Sequence, residues 1–571
     1  MLEISPKRAR RPCSRVRSRL APLGIRIAAL TPLLTAILPA CADDEDRETA
    51  TSFVAAAPLA WQVVVNNGVQ VPGDGRNFNS YNQPSINIDQ LVVFRARSRG
   101  GSGGEPAHGV YARDMAVRTP VYSVFDRTTV VPPPNNLATT FVEPPSFPRI
   151  DMRSDTIASR GGHPPAWSHV VPEGSETRAG TTGIYTTPFG ELITGASNVG
   201  AAPGFGFFAV PHASSTKFDV FPGAPAVTDG ATIVFKGNYT EGGGQTGVYY
   251  RDLTDAPLPG PDATTLAPAG GTSPVILIAD TRTRIPGTST TFGSTAPPSA
   301  VGRQAVFAGF DIEAAPTLGG IYLAPLIGSE PPLTTLVKIG GKVPGESRAV
   351  FNKLGEGLSF DGRFVAFWGA WGAETRALLL QCPTEGNRDR VAYCNEQHPN
   401  GFATTVPANQ GIFVHDAWAH LTYAVAKTPN DFDDFVYWNF SGRVPGTGGS
   451  EDDDGEPARW RSASFVAVSG QRLSDTFHTA FKARTGAING IYLRRGPGRP
   501  KVVAVVETGM SGTLLDPAAV AIDEVTGQTM VLPVTEMGIE RDGFRGDSLV
   551  VNVSMGSEEA GWAGIYLRRV R

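Results

Sequence analysis

Residues able to take part in chemistry are concentrated between positions 367 and 411. Trp368 and Trp371 come first, the cysteines Cys382 and Cys394 follow, and charged groups surround them. A loop closed by a disulfide and carrying aromatic rings could form a binding platform for a sugar or a peptide. The candidate ligand-binding residues are Trp368, Trp371, Arg388, Glu396 and His398. In the alternative interpretation the tryptophans pack in the interior and the loop is only an elaboration.

The cysteine content predicts one disulfide. Cys13 and Cys41 lie in an N-terminal targeting segment, which leaves Cys382 and Cys394 as the only pair in the rest of the chain. An exported chain can keep such a pair oxidised. A zinc site would need further ligands, and the nearby Glu396 and His398 make a weak set.

Two acidic clusters, at residues 430–434 and 451–456, could supply oxygen ligands for calcium. Neither has the Asp-x-Asp-x-Asp-Gly spacing that arranges carboxylates around one ion. We interpret both as solvated loops, with calcium as the alternative and no other cofactor expected. His163 and His169 lack a third ligand, so no metal site is predicted there.

Recognisable catalytic motifs are missing from the sequence. There is no His-Glu-x-x-His and no phosphate-binding loop. A carboxylate pair for glycoside hydrolysis stays open, because the fold sets its separation. We therefore expect binding rather than catalysis and assign no catalytic residue.

The N-terminal segment, residues 1–41, has the pattern of an export signal. An Arg-rich start leads into an apolar run of 14 residues at 27–40, which is too short to span a bilayer. Leu38-Pro39-Ala40-Cys41 resembles the lipobox of bacterial lipoproteins, in which the cysteine is lipidated. Ordinary signal cleavage, which would remove Cys41, is the alternative. Residues 42–60 then form a flexible tether.

These features predict an exported protein of the cell envelope, at the outer membrane or cell surface, or an extracellular one. Contact with a membrane is expected only through the lipid anchor. The formal net charge of -4 gives no general electrostatic reason to expect a nucleic acid partner. We expect a monomer with a protein or polysaccharide ligand whose identity stays open.

A Gly-[Ile/Val]-[Tyr/Phe] triplet recurs seven times, at spacings of 74, 64, 73, 91, 79 and 74 residues. The glycines of these triplets are Gly109, Gly183, Gly247, Gly320, Gly411, Gly490 and Gly564. A run with β-branched and aromatic residues precedes most triplets, often after Asp-Gly, and another apolar strand follows. The repeat unit is therefore a small antiparallel sheet.

The units predict an all-β fold, a seven-bladed β-propeller formed by residues 61–571. The chain begins with the second half of a unit, around Val63-Val64-Val65, and ends with a first half at the seventh triplet. Pairing of these two strands would close the ring and remove the exposed sheet edges. A linear β-solenoid is the alternative. Inserts at about 159–183 and 367–411 join equivalent strands, so both should project from one face.

The repeats resemble those of choice-of-anchor tandem-repeat NxxGxxAF-containing proteins, a family of exported bacterial proteins without an assigned activity. Asp361-Gly-Arg-Phe-Val-Ala-Phe367, Asp229-Gly-Ala-Thr-Ile-Val-Phe235 and the triplets carry this resemblance. It implies an exported repeat architecture with a variable anchor. The stretch from Ser359 to Phe367 also resembles the repeats of TolB-type propellers, which supports the fold.

Three functions fit the sequence. The first is a surface or periplasmic binding or scaffold protein that is exported and lipid-anchored. The second is a hydrolase or lyase that acts on an extracellular polymer at the channel mouth of the insert-bearing face. The third is a purely structural envelope protein. A convergence of carboxylates, His or Arg at that mouth would favour the enzyme.

Overall fold

The described part of the chain is one compact unit within Pro58–Arg571. The computed structural model describes residues 60–100, 105–213, 216–241, 244–255, 270–384, 387–442, 444–445, 457–471, 475–498, 501–523, 526–557 and 561–570. The predicted signal segment, Cys41, nearly all of the tether and the acidic cluster at 451–456 lie outside these residues. Within the described ranges, no helix is long and apolar enough to cross a bilayer.

The first strand, β1 (Gln62–Asn66), belongs to the last blade, and the blades then follow in chain order. The first blade contains β2 (Phe78–Tyr81), β3 (Ser85–Ile86), β4 (Leu91–Ser98), β5 (His108–Asp114) and β6 (Tyr122–Asp126). The second contains β7 (Arg149–Ile150), β8 (Ile157–Gly162), β11 (Thr182–Thr186) and β12 (Ile193–Ser197), with a side hairpin of β9 (Trp167–Val170) and β10 (Glu176–Ala179). The third contains β13 (Ala226–Thr228), β14 (Thr232–Tyr239), β15 (Gln245–Asp252) and β16 (Ile276–Asp280).

The fourth blade contains β17 (Ser294–Thr295), β18 (Ser299–Val301), β19 (Gln304–Phe310), β20 (Gly319–Pro325) and β21 (Thr334–Lys338). The fifth contains β22 (Phe351–Leu354), β23 (Ser359–Phe360), β24 (Phe364–Leu380), β25 (Phe402–Asp416) and β26 (Leu421–Lys427), and α1 (Arg388–Gln397) lies between β24 and β25. A hairpin of β27 (Tyr437–Ser441) and β28 (Arg459–Ala463) leads to the sixth blade.

The sixth blade contains β29 (Val466–Gly470), β30 (Phe477–Thr485), β31 (Ile488–Arg495) and β32 (Val502–Glu507). A hairpin of β33 (Val520–Ile522) and β34 (Thr529–Val531) follows it. The seventh contains β35 (Val534–Gly538), β36 (Phe544–Arg545), β37 (Ser548–Gly556) and β38 (Gly561–Arg569), completed by β1. Short 3-10 turns occupy Gly206–Phe208 and Gly512–Leu514.

The ring closes by pairing of the first and last strands. In the antiparallel ladder between β1 and β38, Val63 lies opposite Tyr566 and Val65 opposite Ile565. The N-terminal strand thereby becomes the outermost strand of the seventh blade and covers the edge of β38. The structure is the seven-bladed β-propeller that the half-units predicted.

The repeated triplet lies on the third strand of every blade, where the outermost strand contains a β-bulge. A Cβ atom at Gly320 would lie 2.1 Å from the carbonyl oxygen of Val337 on that outermost strand. The register slips by one residue between Ile321 and Tyr322, and the same slip follows the triplet glycine in all seven blades. In five blades a Cβ atom at this glycine would meet a carbonyl oxygen of the outermost strand, and at Gly247 and Gly490 it would meet the ring of the triplet tyrosine, so no side chain fits.

The aromatic residue of the triplet forms the centre of the core between blades. In the first blade the ring of Tyr111 lies 4.9 Å from Phe78, edge to face, and 6.1 Å from Phe94. Equivalent triads are Phe218/Phe235/Tyr249, Phe292/Phe307/Tyr322, Phe351/Phe367/Phe413 and Phe432/Phe481/Tyr492. Ser159 and Val551 replace the second ring in blades two and seven. Each aromatic pair stabilises the fold by about 0.5–1.5 kcal/mol beyond the contribution of its buried area.

The innermost strands line the central channel, and each contacts the next around the ring: β3, β7, β13, β18, β23, β29 and β36. Because the four strands of a blade are antiparallel, connections between the second and third strands emerge at the same end as connections between blades. We call this end the insert face and the opposite end the turn face. Both predicted inserts are such second-to-third connections, so they share the insert face as predicted.

Candidate functional site

The insert of the fifth blade is a long extension of β24 and β25 beyond the blade. Pairing continues from Thr375 opposite Pro407 to Leu380 opposite Phe402. The helix α1 closes the extension, with Asn387 as its N-cap residue, and no sequence signal predicted it. Cys382 and Cys394 form the predicted disulfide, which joins the end of β24 to the last turn of this helix.

The insert is fixed to the neighbouring connection between blades five and six. Nη2 of Arg376 lies 2.6 Å from Oδ2 of Asp434, whose other oxygen accepts a hydrogen bond from Gln410 at 2.9 Å. Beside this ion pair the aromatic side chains of the helix, β25 and the β27–β28 hairpin pack together. The rings of this cluster are Tyr393, His398, Phe402, Phe440 and Trp460.

The insert also reaches the opposite side of the ring. The positive charge of Arg390, on α1, is one of the charges that act on the guanidinium of Arg95, which lies on β4 in the first blade. In a ring of seven, the fifth blade stands opposite the junction of the first and second blades. The insert therefore extends over the channel at the insert face.

The candidate ligand-binding residues do not form one surface. Trp368 and Trp371 are buried, at 8% and 6% exposure, and Nε1 of Trp368 donates a hydrogen bond to Oε1 of Gln410 at 2.9 Å. Neither indole presents a face to a ligand, so this burial removes both tryptophans from the candidate site. Arg388 and Glu396 are exposed on α1, while His398 packs against Phe402. Only the charged residues of the helix remain accessible.

A buried ionic cluster fills the channel. Residues 540–542 leave the inner strand of the seventh blade between β35 and β36 and project across the axis. Arg149, from the second blade, forms ion pairs with Glu540 and with Asp542, the latter at 2.9 Å. Arg545 pairs with the second oxygen of Asp542. We call these residues, with Arg541, the channel plug.

Arg541 spans the channel. Its Nη1 donates to the carbonyl oxygen of Pro297 at 3.1 Å and its Nη2 to that of Ala224 at 3.2 Å, in blades four and three. Its own carbonyl oxygen accepts a hydrogen bond from Oγ of Ser359, in blade five, at 2.6 Å. A residue of blade seven therefore ties together three blades on the far side of the ring.

Burial governs the charges of the plug. It lowers the pKa of Arg541 to about 9, and the nearby positive charge of Arg149 acts in the same direction. Burial also opposes ionisation of Asp542, but the positive charges of Arg149, Arg545 and Arg541 outweigh it and lower the pKa of this carboxyl. Arg541 and Asp542 are therefore ionised at neutral pH, and the Asp542 carboxylate lies between Arg149 and Arg545.

The channel plug must be compared with the convergence of carboxylates, His or Arg that the sequence analysis expected of an enzyme. Ionisable groups do converge in the channel, but all five plug side chains are at most about a tenth exposed and bond to one another or to backbone carbonyls. A general acid or base must reach its substrate. The plug therefore fits a structural role, which joins the blades across the axis.

Metal binding receives no geometric support in the described ranges, where no three His, Cys, Asp or Glu side chains converge to hold an ion. Asp434 of the first acidic cluster accepts hydrogen bonds from Gln410 and from the backbone of Val436. His163 bonds to Tyr185 through Nε2 at 2.5 Å. These groups have structural partners.

The sequence analysis missed the channel plug and the basic residues of β4. The repeat does contain a pattern that indicates the plug. Residues 540–545 include four charged residues at the positions that correspond to the inner strand of other units. The equivalent inner strands β18 and β23 contain only small, apolar or hydroxyl residues. Aligning the inner strands of the seven units would have singled out the seventh.

Fold and site together define a seven-bladed β-propeller with a plugged channel and a disulfide-closed insert over one mouth. No protein-family model matches this chain, and no curated protein matches it either. Among solved structures, it is similar to an acylaminoacyl peptidase from Pyrococcus horikoshii, with 8% identity and a TM-score of 0.35, over 84% of this chain and 51% of that one. This chain therefore spans about half the length of that peptidase.

Two further structures are similar at the same low identity. The β-propeller domain of the Trilobed protease from Pyrococcus furiosus has 8% identity and a TM-score of 0.34, over 87% of this chain and 94% of that one. The NanB sialidase from Streptococcus pneumoniae has 8% identity and a TM-score of 0.27, over 90% of this chain and 70% of that one. At these values the likeness gives no information on activity.

Proposed function

We propose that this chain is an exported, lipid-anchored binding or scaffold protein of the cell envelope, which holds a protein or polysaccharide ligand on its insert face. The observation that carries the proposal is the insert over the channel mouth. It is fixed by the Arg376–Asp434 ion pair and the Cys382–Cys394 disulfide, while α1 presents charged residues to solvent. A rigid element with an exposed polar surface favours recognition, because little conformational freedom is lost on binding.

The charged side chains of the channel plug are buried and bond to one another or to backbone carbonyls. Their lack of exposure also supports binding over catalysis. The hydrolase or lyase stays as the second candidate for one reason. Glu143, whose side chain is 47% exposed, lies near Arg95 on the insert face and is an accessible carboxylate. An accessible acid beside a cation is the kind of group that polymer cleavage needs.

Removal of the insert tests the proposal. Trp371 and Asn409 lie opposite each other in the ladder, so an Asn-Gly turn can replace residues 372–408 and keep the blade in register. Immobilised neutral and acidic polysaccharides serve as probes for the wild type and the variant. We expect retention of the wild type on at least one polysaccharide and loss of retention in the variant, with a single cooperative thermal transition that shows the ring to be folded.

Two outcomes would overturn the proposal. Equal retention of both proteins would remove the insert from the binding surface. Release of new reducing ends from a bound polysaccharide by the wild type would identify the enzyme instead. Substitution of Glu143 by Gln in that second case would show whether this carboxylate performs the cleavage.

A further inference from the structure

Two arginines project from the same side of β4 at the insert face. Arg95 and Arg97 are two positions apart on this strand, so their side chains share a face. The side chain of Arg95 is 26% exposed and Arg97 is exposed. Nη2 of Arg95 lies 4.0 Å from Oε2 of Glu143, a long separation for an ion pair. The carboxylate therefore neutralises Arg95 only in part.

A third arginine approaches from the insert. Arg390 is held at the start of α1, where its backbone N–H donates to the side chain of the N-cap residue Asn387 at 2.9 Å. Its Nε is buried and has no hydrogen-bond partner among the described residues. A buried guanidinium N–H without a partner costs free energy unless a ligand or water supplies an acceptor.

Two further positive charges act on Arg95. Burial lowers the pKa of Arg95, the charge of Glu143 opposes this, and the charges of Arg97 and Arg390 lower the pKa further. Burial is also the main reason that the pKa of His108 is lowered, so this neighbour stays neutral at pH 7.

Arg127, whose positive charge also reaches His108, has its own partner in Glu105. Its charge is therefore balanced without any contribution from Glu143. Arg97 and Arg390 therefore repel Arg95, and among the described residues Glu143 is the carboxylate whose charge acts on Arg95. An anion placed between them would relieve the repulsion.

We propose that Arg95, Arg97 and Arg390 form a binding site for the carboxylate groups of an acidic polysaccharide. This inference rests on the proposed binding function of the insert face and specifies the ligand. A guanidinium group offers a planar fork of N–H donors that matches a carboxylate. Donors from the blade and from the insert would contact the ligand from two sides, above the channel mouth.

Glu143 favours a uronate polymer over a nucleic acid. Its carboxylate stands beside the arginines, where it repels the dense negative charge of a phosphate backbone but can accept hydrogen bonds from sugar hydroxyls. A uronate polymer carries one carboxylate per sugar and several hydroxyl groups. The overall charge of -4 also lacks the general positive field that nucleic acid binding uses.

Calorimetric titration of the full-length protein with oligogalacturonate tests the site. We expect Arg390→Gln and Arg97→Gln each to weaken binding about tenfold or more, because a charge-assisted hydrogen bond is lost. Arg153→Gln is the matched control, since it removes the same charge from an exposed position in the turn between β7 and β8, on the turn face. It should weaken binding less than about twofold, because exposed charges act weakly through solvent.

Several results would overturn the inference. An equal loss in Arg153→Gln and Arg390→Gln would indicate unspecific charge attraction. Binding of single-stranded DNA or poly-glutamate, without binding of oligogalacturonate, would assign the arginines to another polyanion. Retention on a neutral polysaccharide that depends on the insert but not on the arginines would leave the proposed function standing and remove this site. Arg97 is exposed, so its variant should keep the wild-type melting temperature and report on binding alone.

Discussion

The side-chain nitrogen Nδ2 of Asn66 lies 2.7 Å from Oδ2 of Asp516, although the two residues are 450 positions apart in the chain. The same oxygen accepts hydrogen bonds from Nε1 of Trp562 at 2.9 Å and from the hydroxyl of Tyr566 at 3.2 Å. Asp516 is 2% exposed and belongs to the connection that precedes the seventh blade. One carboxylate thus joins the first strand, the last strand and the chain between blades six and seven.

Replacement of Asp516 by Ala should destabilise the closed ring. Three donors, two of them on β38, would lose their acceptor, which we expect to cost about 2–4 kcal/mol of the free energy of unfolding. Urea denaturation of the full-length protein measures this change. Asp89→Ala, at an exposed turn, is the control and should change the stability by less than about 0.5 kcal/mol. Equal effects of the two substitutions would contradict the role of Asp516.

Removal of β1 should expose the edge of β38. Deletion of residues 61–73 takes away the partner of the residues from Gly564 to Leu567, so we expect the unpaired edge to cause aggregation. Light scattering at increasing protein concentration measures this effect. A deletion of residues 43–55, which keeps β1, should remain monodisperse. A soluble, cooperatively melting protein after loss of 61–73 would argue against the importance of ring closure.

The triplet glycines should resist substitution. At Gly320 an added Cβ would meet the carbonyl oxygen of Val337 at 2.1 Å, so Gly320→Ala must shift the outer strand. We expect a loss of about 1–3 kcal/mol or more. Gly206→Ala is a matched control, because its Cβ would meet no atom within 4 Å. Thermal melting compares the two variants, and a neutral effect of Gly320→Ala would contradict the bulge as the origin of the triplet.

The disulfide should stabilise the insert rather than the propeller. Cys382 and Cys394 are separated by 12 positions and close a loop that lies outside the blade. The paired serine variant should therefore lose about 3 kcal/mol of local stability, on the loop-entropy estimate, with the melting temperature of the ring unchanged. Limited proteolysis should cut the variant within residues 381–401 and leave the wild type intact. Cleavage elsewhere in the ring would show that the bond stabilises more than the insert.

Stability should fall as the pH falls from about 6.5 to 4. Burial lowers the pKa of His163 to about 4 and that of His415 to about 4, below the value of about 6.5 in an unfolded chain. The unfolded state binds protons first over this window, so each histidine removes up to about 3 kcal/mol of stability as the pH falls through it.

His163→Gln should flatten the pH dependence of the denaturation midpoint between these values. His212→Asn, at an exposed position, should not alter it. Parallel curves for His163→Gln and the wild type would contradict the assignment.

Much of the fold could be predicted from the sequence, because its determinants are local and repeated. Gly320-Ile321-Tyr322 and its six equivalents mark the third strand by a glycine that the bulge requires and a ring that the core requires. The half-units at the two ends predicted the pairing of the first and last strands, in which Val63 lies opposite Tyr566. The disulfide followed from elimination, since only two cysteines remain outside the predicted targeting segment. The resemblance to the tandem-repeat family and the lipid anchor stay predictions.

The site could be predicted only in part. Trp368 occupies a position where other blades carry Arg95 or Lys482. Its sequence context therefore did not show whether its indole binds a ligand at the surface or packs in the core. Only the packing of the fifth blade against the sixth decided its burial. The helix α1 lacks an apolar stripe, and the disulfide and its contacts with β27 hold it in place.

The sequence by itself determined the number of blades, the strands and the closure of the propeller. The reason is that the periodic glycines and aromatic residues encode contacts that recur in every unit. The tertiary structure alone decided which charged groups meet. Arg149 and Asp542 are 393 positions apart, and Arg390 acts on Arg95 from the opposite side of the ring. Such convergence depends on the curvature of the assembled ring, which no single repeat contains.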